Sequence, residues 1–167
     1  MNDIAALFRQ LTLGVYVVGV AHEEQRDAFT AAWIMQASFD PLLLALSINP
    51  DNASYPLLHA GRGFTVSVLR QGQLELARRF GTRSGRHQDK LAGLGWRPGR
   101  NGAPILDDAV AYFDCVLTET MRSGDHELAL GRVVDGGVLA PEARPLVYAD
   151  TGDMDGSTAL YPTKFRV

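Results

Sequence analysis

Cysteine is nearly missing from this sequence: one residue, Cys115, in 167. A lone thiol forms no internal disulfide and no cysteine-based zinc site. It lies in the alternating run Val110 to Thr120, where it reads as a small buried apolar group. Long apolar runs are missing too. None approaches the ~20 residues that span a bilayer, so no membrane helix is expected. No basic stretch followed by an apolar one opens the chain, so no secretion signal is expected and the cytoplasm is the expected compartment. HExxH and CxxC are absent, and no His or carboxylate has ligand spacing to His126, so no metal site is expected. Without a GxSxG elbow a serine hydrolase has no support. Gly61-Arg62-Gly63 lacks the third glycine of a dinucleotide fingerprint and precedes a strand rather than following one.

What is present is ordinary in amount and informative in order. The apolar fraction of 46% and the charged fraction of 21% suit a globular protein. The length of 167 residues suits one domain, 1–167, with no internal repeat or linker. A net charge of −3 argues against a surface given over to nucleic acid.

Helical spacing of Ile4, Leu7, Phe8 and Leu11 predicts a short amphipathic helix over residues 3 to 12, closed by Gly14. Strands are expected from Val15 to Val20, from about Ala28, and from about Leu42, the last two separated by Asp40-Pro41. Ser54-Tyr55-Pro56 predicts a helix start, with Gly61 ending it. Phe64 to Leu69 reads as a strand and Gln73 to Phe80 as a helix with Leu74, Leu76, Ala77 and Phe80 inward. Gly81 to Arg100 is a long polar stretch in which Leu91, Leu94 and Trp96 look anchored. Asn101-Gly102 marks a turn. Strands follow over Ala109 to Met121, His126 to Val134 and Pro145 to Tyr148. Six or seven strands with short helices and no βαβ rhythm predict a mainly β, antiparallel barrel.

Three groups of residues carry candidate chemistry. From Asp27 to Ser54, small residues (Thr30, Ala31, Ala32, Ser38) leave room for a ligand beside the backbone. Gln36, Ser47, Asn49 and Ser54 can hydrogen-bond it. An ordinary barrel hairpin with solvated polar positions gives the same pattern. Arg78, Arg79, Arg83, Arg86, Lys90, Arg97 and Arg100 place seven of the sixteen Lys and Arg residues in one segment, with His87 among them. Guanidinium forks bind phosphate, so this is either an anion site or a solvated basic loop. Gly124-Asp125 then sets His126 at the start of a strand, where it serves a ligand or its own turn.

The ordered set of motifs resembles the flavin reductase-like family. Leu7-Phe8-Arg9-Gln10-Leu11 before Gly14-Val15-Tyr16 is similar to the family's opening, and Thr30 to Ser38 before Asp40-Pro41-Leu42 to its flavin segment. Leu76 to Phe80, Trp96-Arg97-Pro98-Gly99 and Gly102 to Leu106 resemble its middle. Gly124-Asp125-His126 with Gly131-Arg132-Val133 resembles its late signature, and Pro145 to Tyr148 its last strand. The resemblance covers about residues 5 to 150. It implies an antiparallel FMN-binding split β-barrel with short peripheral helices. It also implies FMN or FAD as flavin, NADH or NADPH as co-substrate, and a homodimer with flavin at the interface.

Carried over, the resemblance has Thr30, Ala31, Ala32 and Trp33 line the isoalloxazine. Gln36, Ala37 and Ser38 would hold its polar rim, and Ser47, Asn49, Asn52 and Ser54 would reach the ribityl or phosphate group, helped by Arg83 or Lys90. His126 would lie beside the nicotinamide. The implied activity is NAD(P)H:flavin oxidoreduction, with a flavin-dependent monooxygenase or redox protein as partner. The alternatives are a permanently FMN-loaded electron relay and an FMN-free interaction protein. Trp33 and Leu42 depart from the commoner family residues, and the tail from Thr151 to Val167 has no assigned counterpart.

Overall fold

The computed structural model describes residues 3–82 and 88–165. Helix α1 (Ile4–Phe8) leads into four strands, β1 (Tyr16–His22), β2 (Gln25–Ala31), β3 (Ile34–Phe39) and β4 (Leu42–Ile48). Helix α2 (Tyr55–Gly61), strand β5 (Gly63–Val68) and helix α3 (Leu74–Thr82) follow. Two short strands, β6 (Trp96–Pro98) and β7 (Pro104–Leu106), form a separate hairpin. The long pair β8 (Ala111–Ser123) and β9 (His126–Val138) completes the main sheet, and short 3-10 turns lie at Tyr148–Thr151 and Ser157–Leu160.

The seven main strands run in the order β2-β1-β5-β8-β9-β4-β3, antiparallel at every pairing. Its two edges, β2 and β3, are consecutive in the chain and joined only by Ala32 and Trp33. Six strand spacings would separate the edges of a flat sheet by about 29 Å. Three Cα steps span at most about 11 Å. The sheet therefore curls until its edges nearly meet, and because β2 and β3 do not pair, the barrel stays split along that seam.

This is the antiparallel, mainly β barrel the sequence predicts, with one change that matters. The single expected strand from Ala28 is broken at Ala32–Trp33 into two strands on opposite edges. Alternation alone does not register such a break, because both halves keep their β pattern.

Every main strand except the edge strand β3 sends buried residues into one inner cluster, including Val18, Phe29, Leu46, Phe64, Cys115 and Ala129. Burial pushes the Cys115 thiol up to about 12, so it is a protonated apolar group. A second cluster lies outside the barrel, where Ala77 and Phe80 of α3, with Leu91 and Leu106, cover Val17 and Ala28. Both faces of β1 are thus buried, which explains its unbroken apolar run.

Several local expectations shift. Helix α1 stops at Phe8, and Leu7, Phe8 and Leu11 stay exposed while Ile4 and Ala5 are buried. The expected last strand is reduced to isolated bridges, Gly14 to Val147 and Arg70 to Pro145, although the Leu146 carbonyl accepts from Val15 N–H and Leu146 N–H donates to the Leu69 carbonyl. Helix α2 does end where expected, but by a different device. Arg62 takes the left-handed conformation (φ 50°), while Gly61 lies directly against β1.

A Cβ at Gly61 would stand 1.8 Å from the Ala21 carbonyl oxygen. Gly61→Ala should therefore lower stability by about 3 kcal/mol or more from overpacking, outweighing the ~1 kcal/mol that alanine contributes to a helix. Urea denaturation measures this; a variant as stable as the parent would mean α2 can move off β1.

Candidate functional site

The seam of the barrel opens into a chamber of about 230 Å³. The end of β2 (Phe29, Thr30, Ala31) and the connection Ala32–Trp33 form one side, and the end of β4 (Ser47, Ile48) with Asn49 and Asn52 forms another. His126 reaches it from β9, and Tyr148, Asp155, Ser157 and Leu160 from the last part of the chain. Phe29, Ile48 and the two alanines make an apolar floor, while hydroxyls, amides and one carboxylate occupy the rim. Ala31 and Ala32 are small enough to leave the slot open.

Local chemistry fixes each wall. Ser47 N–H donates to the Trp33 carbonyl at 3.0 Å, which pins the connection to β4. The Asn49 side-chain oxygen accepts from Asp51 N–H and that of Asn52 from Ser54 N–H, both at 2.9 Å. These turns use the carbonyl ends of the two amides and leave their NH2 groups as donors. The Thr30 hydroxyl is used by the fold itself, since it donates to the Ala77 carbonyl at 2.6 Å and ties β2 to α3.

His126 follows a two-residue hairpin, Gly124-Asp125, in which Gly124 has φ 62°. That conformation suits glycine and tightens the turn. His126 Nδ1 lies 2.8 Å from Asp125 Oδ1, and this hydrogen bond holds the Asp125 carboxyl below its ordinary value. The imidazole packs against Trp33, ring centroids 4.8 Å apart and tilted by 45°.

The Trp33–His126 pair also borders a second chamber of about 450 Å³. This one is apolar, lined by Phe8, Leu11, Leu13, Ile34, Met35 and Leu128 among others. The two chambers share Trp33, Ser47 and His126. The first alone is smaller than a usual ligand pocket of roughly 300–1,000 Å³, so the pair of chambers is the better measure of the space at the seam.

Of the expected site residues, Thr30, Ala31, Ala32, Trp33, Ser47, Asn49, Asn52 and His126 are brought together here. Gln36, Ala37 and Ser38 are not among them. They lie on edge strand β3 around a bulge, with Gln36 Nε2 3.5 Å from the Ser38 carbonyl. Ser54 and Lys90 are buried elsewhere. Lys90 Nζ stands 3.0 Å from Asp27 Oδ1, and Ser54 donates to Asp27 Oδ2 at 2.7 Å. Both are fully enclosed, so they close an internal network instead of facing the chamber.

Arg78, Arg79 and Arg97 of the basic segment are also partnered, while Arg100, an exposed residue, is tied among the described residues only through its backbone N–H to Asp114. Arg78 pairs with Glu75, and Arg79 donates to the carbonyls of Lys90 and Ala92. Arg97 pairs with Asp107 and lies over the Tyr112 ring. Arg83, Arg86 and His87 lie outside the described residues. Sequence reasoning missed Tyr148, Asp155, Ser157 and Leu160 as site residues; Leu160-Tyr161 and Phe165 hinted that the tail packs on something.

The two chambers together suit a flavin in size and donor set: apolar walls beside an indole, with amide and hydroxyl groups among the lining residues. Among the described residues, no three His, Cys or carboxylate side chains gather at metal-binding distance. No described helix is long and apolar enough to cross a membrane.

Lys90→Met should lower stability by about 3–5 kcal/mol, because it leaves the buried Asp27 carboxylate without its cation. Chemical denaturation checks this, and pairing the change with Asp27→Asn should recover part of the loss. An unchanged midpoint in the single variant would mean water reaches Asp27.

Comparison with known proteins agrees with this geometry. The family model described as flavin reductase like domain matches residues 8–157. The high molecular weight rubredoxin of Moorella thermoacetica is 36% identical over 141 residues, covering 83% of this chain and 61% of that protein. A putative diflavin flavoprotein of Nostoc is 33% identical over 87% of this chain but only 26% of its own length. The chain thus spans from about a quarter to three-fifths of these curated relatives.

Among solved structures, the NADH:FAD oxidoreductase SgcE6 of Streptomyces globisporus superposes with a TM-score of 0.82 at 28% identity, covering 89% of this chain and 88% of that one. A nitrilotriacetate monooxygenase component B homologue from Mycobacterium thermoresistibile gives 0.77 at 30% identity, covering 84% and 78%.

Proposed function

The chain belongs to the flavin reductase-like family, and on that premise we propose that it is an FMN-dependent oxidoreductase that uses NADH or NADPH to reduce flavin, with FAD as the alternative flavin. The observation that carries this reading is the chamber at the barrel seam. An apolar slot, an indole, an imidazole and the amides of Asn49 and Asn52 meet there. When bound, the flavin would supply the hydride and electron-transfer chemistry.

The protein's own part is positioning. Ala31 and Ala32 keep the slot open for the ring system, and the Asn49 and Asn52 NH2 groups with the Ser47 hydroxyl are donors for its polar edge and side chain. Asp125 fixes the orientation of His126, whose ring faces Trp33 at the boundary between the two chambers. A nicotinamide entering from the apolar chamber would meet that pair first. Lys90, held by Asp27, keeps the neighbouring loop against the barrel. A phosphate contact from the basic segment would then fall to Arg83, which lies outside the described residues.

A homodimer is part of the reading. Edge strand β3 and its turn expose Met35, Phe39 and Leu42, and the apolar chamber has Phe8 and Leu11 exposed on its other side. A second copy against this edge would cover apolar surface that water otherwise meets and would turn Gln36, Ala37 and Ser38 into interface residues. The reduced flavin would pass to a monooxygenase or another redox protein, in keeping with the monooxygenase component among the structural neighbours. The proposed compartment is the cytoplasm.

One observation favours a second reading, a permanently loaded electron relay without free-flavin reductase activity. Trp33 packs against His126 where a nicotinamide would approach, and the curated relatives include a rubredoxin and a diflavin flavoprotein.

A visible spectrum of the purified protein, before and after anaerobic NADH, separates these readings. Flavin bands that bleach support the reductase. Bands that persist with both NADH and NADPH support the relay, and no bands after soaking in FMN would remove both. His126→Ala should slow reduction by NAD(P)H by about tenfold, from lost orientation, while weakening FMN binding less. Stopped-flow absorbance gives the first value and fluorescence titration the second; an unaltered reduction rate would remove His126 from the role.

A further inference from the structure

The segment after Thr151 folds back over the seam, held at three separate points. Asp153 Oδ1 accepts from both Thr158 N–H (3.0 Å) and Thr158 Oγ1 (2.7 Å), and Arg9 of the chain's opening pairs with Asp153 at 3.3 Å and donates to Thr158. The Phe8 and Tyr161 rings pack with centroids 5.4 Å apart. The Tyr148 hydroxyl lies 2.9 Å from Asp155 Oδ2 and 2.9 Å from Ser157 Oγ, and Ser157 N–H donates to Asp155 Oδ1 at 3.0 Å. Burial, the largest influence on it, pushes the Tyr148 hydroxyl up, so it remains a protonated donor.

These anchors put Asp155, Ser157 and Leu160 on the chamber wall. Leu160 is 84% exposed, an apolar side chain at the mouth with almost nothing against it. Asp155 is the only carboxylate among the described residues that line the chamber. A carboxylate repels a phosphate at close range and accepts readily from hydroxyl groups. Tyr148 and Ser157 beside it form a cluster suited to a chain of alcohols and unsuited to a second anion.

We propose that this segment is a ligand-selective wall of the site, in which Asp155 and Ser157 bind the hydroxyl groups of a flavin's polyol side chain and Leu160 covers the ligand beside them. The proposal rests on the flavin reading above and assigns a part of the ligand that reading leaves open. The phosphate of FMN lies away from Asp155, and the clips to Arg9 and Phe8 set how firmly the wall stays in place.

The test compares three probes on the full chain: FMN, riboflavin and lumiflavin, which keeps the ring system but has no polyol chain. The double variant Asp155→Asn, Ser157→Ala should weaken FMN and riboflavin about tenfold or more, as expected for two lost hydrogen bonds to hydroxyl groups. Lumiflavin affinity should stay within twofold, an approximate allowance for a site that keeps its shape. Fluorescence titration gives all three, and thermal melting confirms that both proteins are folded.

Equal weakening of all three probes would make the segment a structural cover without polyol recognition and would overturn the proposal. So would no change in any of them, or tighter FMN binding with riboflavin unchanged, which would place the phosphate at Asp155. If the parent protein binds none of the three, the flavin reading itself fails, and this proposal with it. A second variant, Phe8→Ala, should speed riboflavin release without altering the preference for riboflavin over lumiflavin. A release rate equal to that of the parent would remove the clips from the proposal.

Discussion

A two-residue connection governs this structure. Ala32 and Trp33 join the strands at opposite edges of a seven-stranded sheet, so the sheet has to curl until those edges are neighbours. The inner cluster then fills from six of the seven strands and α2, and the unpaired edges leave a seam instead of a closed wall. Backbone groups at that seam are not all used in the sheet, and side chains there are not all needed for packing. The cavity, the exposed Trp33 and the reach of His126 across from β9 are consequences of the same closure.

Charge is handled inside the fold more than the sequence suggests. A basic segment in an acidic chain looks like an anion site, yet Arg78, Arg79, Lys90 and Arg97 are engaged at home. Lys90 neutralises Asp27 in a site that also takes the Ser54 hydroxyl. Arg79 spans two loop carbonyls, and Arg97 covers Tyr112 while pairing with Asp107. Such pairs help hold a long, weakly apolar connection against the barrel, beside its buried Leu91 and Leu106. The chamber is left with donors, one imidazole and one carboxylate, a composition suited to orienting a ligand more than to neutralising one.

The two ends of the chain meet at this site. Helix α1 buries Ile4 and Ala5 but not Leu7 or Phe8, and Phe8 instead borders the apolar chamber and packs on Tyr161. The tail uses Arg9 as its second support. The part of the fold with the least secondary structure therefore encloses the part with the most chemistry, and exchange of contents at the seam can be governed there without disturbing the barrel.

Much of this was readable in advance. The β-branched run of β1, the short strand pattern of β5, the alternation of β8, the turn residues Asn101-Gly102 and Gly124-Asp125, and the proline that opens α2 act over a few residues, so the sequence determined these elements by itself. The small residues Ala31 and Ala32, with Ser47 and Asn49, also pointed to the chamber, and the family resemblance added Trp33 and Asn52. Other features were settled only by the tertiary structure. The break at Ala32–Trp33, the pairing of Lys90 with Asp27 across 63 positions, and the return of Asp155 and Ser157 to the mouth of the chamber depend on residues far apart in sequence. Local propensity acts along the chain, whereas barrel closure and charge pairing are decided by which distant groups come within a few ångströms of one another, and that proximity exists only once the sheet has curled.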